Sequence, residues 1–165
     1  MSRPAEIVRW EALEGPEWSY RDRTEQMGRD ADFGRHFNFG NLGIHHVRLA
    51  PGRRSSLPHA ESAEDEFVFV LEGTPDVWLD GQLHRLSAGD AVGFKAGTGL
   101  AHSFLNNTDR DVRLIVVGDR PKRKNRIVYP VDPDRRAVRR DWWDDAPARP
   151  LGPHDGKPDS AGGTG

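Results

Sequence analysis

The sequence contains no cysteine, which removes disulfides, thiolate metal ligands and a cysteine nucleophile together. Long apolar runs are also missing. No stretch approaches the roughly 18 consecutive apolar residues of a membrane span, and the opening MSRPAEIVRWEALEG has no apolar segment of signal-peptide length. Nor does one sign of charge dominate: 24 Lys and Arg against 26 Asp and Glu leave a formal net charge of -2. Such a balance exerts no long-range pull on nucleic acid or anionic lipid. The expectation is a cytoplasmic protein with neither a nucleic-acid nor a membrane partner. A Gly-x-Ser-x-Gly elbow is absent, so acyl transfer of that type is excluded. No internal repeat and no helix-length apolar periodicity occurs.

What is present suits one domain. A chain of 165 residues can bury roughly 70% of the surface its unfolded form exposes. Apolar residues are only 35% and charged residues 30%, so part of the length belongs to loops and tails. Short alternating runs separated by turn signals predict the strands: IHHVRL ended by Pro51-Gly52, FVFVL from Phe67, VWLD and QLHRL joined at Asp80-Gly81, AVGF, and VRLIVV at 112–117. Many short strands without a useful helix predict an all-β protein, a closed antiparallel barrel or sandwich.

The ends differ from this middle. Residues 1–43 form an N-terminal arm in which Trp10 and Trp18 bracket the Gly15-Pro16 turn signal, with Phe33, Phe37 and Phe39 following among glycines. Its aromatic rings are expected to pack over the barrel or a neighbouring subunit. Residues 119–165 are a C-terminal extension. It opens on the basic cluster RPKRKNR, expected to face water, continues through a segment anchored by Trp142 and Trp143, and closes on HDGKPDSAGGTG, expected to be mobile.

Chemistry concentrates between Pro51 and Gly73. Leu57, His59 and Glu61 alternate, so on an extended strand they share one side. Glu66 shares a face with Val68 and Val70, which aims a carboxylate at an apolar interior where an unpaired charge costs several kcal/mol. A metal ion compensates such a group and uses its lone pairs. His102 in the second stretch, Gly89–Asn106, supplies another imidazole. The expected ligands are His59, Glu66 and His102, with Glu61 as a further candidate. Phe104 and Asn106 alternate with His102 and are expected to wall the same pocket. His45 shares a face with Val47 and Leu49, so it turns inward as a candidate acid, base or substrate contact, while His46 points the other way.

At these residues the sequence resembles the cupin family. Gly52, His59, Glu61, Glu66 and Gly73 follow its first motif, with six residues between Gly52 and His59 and Glu61 where a second histidine is usual. Gly89, Gly99, His102 and Asn106 follow its second motif, with Lys95 in place of a proline and two extra residues before Gly99. The resemblance covers about residues 44–118. It implies a jelly-roll barrel, or double-stranded β-helix, at 44–118 between arm and extension, and a homodimer. More narrowly, the chain is similar to bacterial single-domain cupins sometimes named sugar-phosphate isomerases. With His59, Glu61, Glu66 and His102 as ligands, one divalent ion of the Mn, Fe, Ni or Zn type is expected. Two bound carboxylates would make it a weak Lewis acid, suited to orienting a small polar substrate for isomerisation or epimerisation of a sugar, sugar phosphate or hydroxy acid. If Glu61 instead serves as the base, the remaining two histidines and one carboxylate form the set associated with ferrous dioxygenases. A non-catalytic barrel that binds a small molecule is the third alternative.

Overall fold

The computed structural model describes residues 3–120 and 124–159. Ten strands follow one another: β1 (Arg29–Asp32), β2 (Leu42–Leu49), β3 (Ala60–Glu61), β4 (Glu66–Glu72), β5 (Asp76–Leu79), β6 (Gln82–Arg85), β7 (Ala91–Phe94), β8 (His102–Leu105), β9 (Val112–Asp119) and β10 (Ile127–Val128). The named strands pair antiparallel throughout. They form a five-stranded sheet in the order β1-β2-β9-β4-β7, a three-stranded sheet β6-β5-β8, and the pair β10-β3. The fold is all-β and of cupin type, with one four-residue helix, Phe33–His36, capped by the Asp32 carboxylate accepting from Arg35 N–H at 2.7 Å.

Strand alternation decides what each sheet buries. Leu49, Val68, Val70, Val77, Phe94, Phe104, Val112 and Leu114 form the core cluster between the two larger sheets. Register then places the site at one end of this inner face. Val116 of β9 stands between His45 of β2 and Val68 of β4, and Gly118 stands between Gly43 and Glu66. Those glycines leave space beside the polar groups: a Cβ on Gly118 would come within 2.6 Å of the Glu64 carboxylate.

The ends are tied to the barrel. In the arm, β1 extends the large sheet, and Trp10 stacks on His46 with ring centres 4.3 Å apart. Buried Arg54 clamps arm and extension together: its Nε and Nη2 donate to the two Glu25 oxygens at 2.8 and 2.6 Å, and its Nη1 donates to the Gly156 carbonyl at 2.7 Å. Trp78 Nε1 donates to the His154 carbonyl at 2.9 Å, and Asp159 N–H donates to Asn107 Oδ1 at 2.7 Å. The segment expected to be mobile thus makes these contacts with the barrel at His154–Asp159. Low apolar content does not prevent them, because side chains of the barrel meet its backbone; residues 160–165 lie outside the described residues. Of the basic cluster, Arg126 pairs with Asp145 at 2.9 Å, and residues 121–123 also lie outside the described residues. Trp143 is buried as an anchor, next to a 3-10 turn at Pro133–Ala137. Among the described residues no helix is long and apolar enough to cross a membrane.

Candidate functional site

A cavity of about 230 Å³ opens at the end of the inner face. Val47, Val68, Phe104, Val116 and Trp18 make its apolar side. Its polar side comes from Asp30, His45, Glu66, His59, His102, Ser55 and Ser56. These residues are drawn from the arm, from β2, β4, β8 and β9, and from the segment that runs beside the free edge of β8. That segment is held by two backbone bonds between His59 and His102 and by a bridge from Arg54 to Leu105.

The histidines are held differently. His59 Nδ1 lies 2.8 Å from the Leu57 carbonyl, which can only accept, so Nδ1 carries the proton and Nε2 of the neutral ring is left bare. Burial, then the proximity of His102, pushes its pKa below the usual histidine value and favours that neutral form. His102 is fixed by stacking on Phe94, with ring centres 3.5 Å apart and planes 11° from parallel. Its Nε2 meets Glu66 Oε1 at 3.0 Å, while its buried Nδ1 has no partner. Burial works to raise the Glu66 pKa, but the hydrogen bond from His102 and the charges of His102, His59 and His45 outweigh it, and the carboxyl is held below its usual range. On the opposite side His45 Nδ1 faces both Asp30 oxygens at 3.0 Å. That contact raises the His45 pKa against the effect of burial.

Glu61 takes another direction. It lines a cleft of about 10 Å³ beside the main cavity, together with Glu64, Glu66, Lys95 and His102. Burial, and then the neighbouring Glu61, raise the Glu64 pKa well above the carboxylate range. Among the described residues no group of three or more His, Cys, Asp or Glu side chains stands where it could hold a metal ion. The four expected ligands thus divide: His102 and Glu66 touch, the His59 ring centre is 5.1 Å from that of His102, and Glu61 lines the side cleft with Glu64.

Phe104 lines the cavity, but Asn106 does not. The alternation that relates His102 to Phe104 stops with β8 at Leu105. Fully buried Asn106 instead donates its amide to the Leu49 and Arg110 carbonyls at 2.8 and 2.7 Å, bracing the turn into β9. Sequence reasoning did not find Asp30, Trp18 or Glu64. The one available signal for Asp30 was the RDAD alternation, too short to distinguish from a loop.

Donor chemistry at the cavity nonetheless suits a divalent cation. The bare Nε2 of His59, an anionic Glu66 and an imidazole with an orphaned buried nitrogen are groups a cation would satisfy.

Residues 45–118 match the family model described as a cupin domain. A solved structure from Silicibacter pomeroyi, described as a sugar phosphate isomerase from a cupin superfamily, is 36% identical with a TM-score of 0.56, and the match covers 57% of this chain and 60% of that one. A second, from Acidithiobacillus ferrooxidans, with a provisional sugar phosphate isomerase assignment, is 27% identical with a TM-score of 0.59, covering 62% and 65%. The chain thus spans less than two thirds of the length of either. The polyketide cyclase from Streptomyces resistomycificus, 17% identical with a TM-score of 0.60 over 86% of this chain and 96% of that one, is alike in fold. No protein of curated function matches.

Proposed function

We propose, for a chain that belongs to the cupin superfamily through residues 45–118, a metal-dependent isomerase or epimerase of a small hydroxylated carbonyl compound. One observation carries this reading: across a single cavity of about 230 Å³, an imidazole backed by a carboxylate (His45 with Asp30) faces a cluster of two imidazoles and a carboxylate (His59, His102 and Glu66). The donor types of His59, Glu66 and His102 suit a cation, but these side chains are not gathered to hold one in this arrangement; they would have to close on it, and a bound cation would supply polarisation of a substrate carbonyl. His45 moves the proton. Its Nδ1 is engaged by Asp30, so Nε2 takes the proton from the carbon next to the carbonyl and returns it on the same face to the carbonyl carbon, while the α-hydroxyl proton passes to the former carbonyl oxygen; epimerisation would require a second proton donor on the opposite face. The apolar wall of Val47, Val68, Phe104 and Val116 would pack against the carbon skeleton of the substrate. Among the described residues no lysine or arginine lines the cavity, which favours an unphosphorylated sugar over a phosphate ester. The two neighbours named as sugar phosphate isomerases support the reaction class.

A homodimer belongs to the same reading. Phe67 and Leu71, 45% and 41% exposed, lie on the outer face of β4, where a second copy would cover them. Sedimentation velocity at micromolar concentration decides this.

A second reading, a ferrous dioxygenase, is favoured by one feature: Glu61 lines the side cleft rather than the main cavity, leaving two histidines and one glutamate as the donor set there. One experiment addresses both. Metal content is measured by elemental analysis for the wild type and the His59→Ala, His102→Ala double variant. Deuterium incorporation from D2O into small aldoses and ketoses is then followed by NMR beside oxygen uptake by the iron-loaded protein. Substrate-dependent exchange without oxygen uptake is expected, with metal lost in the double variant. Oxygen consumption coupled to substrate loss would refute the isomerase.

A further inference from the structure

We infer that Asp30, supplied by the N-terminal arm from outside the region matched by the cupin model, is the positioning residue that makes His45 an effective proton carrier; the inference rests on the role given to His45 above. Register explains how Asp30 arrives. Strand β1 pairs with β2 so that Asp30 stands opposite Val47 and Asp32 opposite His45, and the His45 ring meets Asp30 on the diagonal. The two aspartates then do different work. Asp32 is committed to the helix that follows, accepting from Arg35 N–H at 2.7 Å. Among the described residues, the Asp30 carboxylate has His45 as its side-chain partner, and it lines the cavity.

Both Asp30 oxygens are 3.0 Å from His45 Nδ1. A carboxylate can only accept, so it fixes the proton on Nδ1 and leaves Nε2 as the nitrogen that exchanges with substrate. When Nε2 gains a proton the imidazolium faces an anion already in place, and no reorganisation is needed. The groups facing His45 are Asp30 and Asp32 from β1 and Glu66 from β4; its partner on β9, Val116, carries no charge. Asp30 is the nearest of the three and the one in hydrogen-bond contact. The side chains of His45 and Asp30 are 33% and 36% exposed, and ion pairs so open to water add little to stability. The structure thus assigns this contact to chemistry rather than to holding the fold.

The test uses the whole chain with Asp30→Asn and Asp30→Glu. Nitrogen-15 NMR of labelled protein reads the tautomer and the titration of His45 directly, without any substrate. In Asp30→Asn the His45 midpoint is expected to fall by about one pH unit, a roughly tenfold loss of proton affinity, with the Nδ1–H tautomer no longer dominant. Asp30→Glu is expected to restore most of both, and thermal midpoints are expected to stay within about 2 °C of wild type, as for a surface pair. With the deuterium-exchange assay, Asp30→Asn lowers kcat about a hundredfold and leaves KM nearly unchanged, the signature of a lost proton-transfer partner. A wild-type His45 titration and tautomer in Asp30→Asn would overturn the inference, whatever the activity. Normal NMR behaviour with no exchange on any sugar would count against the proposed function and leave the positioning role in place.

Discussion

Replacing Arg54 with methionine tests whether one buried guanidinium holds both ends of the chain to the barrel. Its side chain is 3% exposed, and methionine preserves much of its length while removing three hydrogen bonds. The costs differ by partner. The Glu25 side chain is 36% exposed and can rehydrate, so loss of that ion pair is worth no more than about 1 kcal/mol. Gly156 is buried, and its carbonyl would lose its charged donor, which costs about 1–3 kcal/mol. The sum is about 1–4 kcal/mol. At roughly 2–4 °C per kcal/mol for a protein of this size, the thermal midpoint should drop by about 2–16 °C. Differential scanning calorimetry measures that drop, and limited digestion with the protease Asp-N follows cleavage before Asp155, which the clamp should slow in the wild type. A variant that melts within about 1 °C of wild type and is cut at the same rate would refute the argument, since Arg54 would then bind its partners without stabilising anything.

Gly81→Ala should cost about 2 kcal/mol or more by thermal denaturation, because Gly81 has φ +88° and an added Cβ would strike the Gly152 backbone; an unchanged midpoint would contradict that packing. His46 is buried under Trp10 with both ring nitrogens unpartnered, and burial, then Arg113, pushes its pKa below the usual histidine value. The unfolded chain therefore binds the proton more readily, and stability is lost as pH falls below the ordinary value of about 6.5 toward the depressed one. His46→Phe, which retains stacking, should flatten that acid-side decline in melting temperature, and an equally steep decline would exclude His46 as its source. Calorimetric titration with fructose and with fructose 6-phosphate is expected to show weaker binding of the ester, and tighter binding of the ester would remove the case for an unphosphorylated substrate.

Much of the barrel was legible because its strands alternate cleanly. His45 with Val47 and Leu49, Glu66 with Val68 and Val70, and His102 with Phe104 all turn their shared face inward. The Asp80-Gly81 step was equally readable: both residues adopt positive φ, 44° and 88°, and join β5 to β6. Alternation misled where a strand was short or had ended. Glu61 closes a strand of two residues, too short for the pleat from Leu57 to carry to it, and it lines the side cleft with Glu64. Asn106 lies just beyond β8, and its orientation follows from carbonyls at Leu49 and Arg110 that no local pattern announces. Asp30 was invisible for a related reason. Its significance depends on a pairing between β1 and β2 across the helix-containing segment between them, a tertiary fact with no periodic signature. The contacts of the last segment were not legible because composition measures what a stretch can bury, while His154 and Gly156 meet the barrel through their backbone carbonyls.

The pairing of β2 with β9, which sets Leu42 opposite Asp119, has a kinetic consequence. Those two strands come from opposite ends of the barrel sequence, so their ladder closes a long loop and loses that entropy before any contact repays it. Trp18, His45 and Val116, drawn from equally distant points, meet at the cavity only after that closure. Refolding from urea should therefore be slow for a chain of this length, and ligand-binding capacity should return together with the last phase of β-sheet formation.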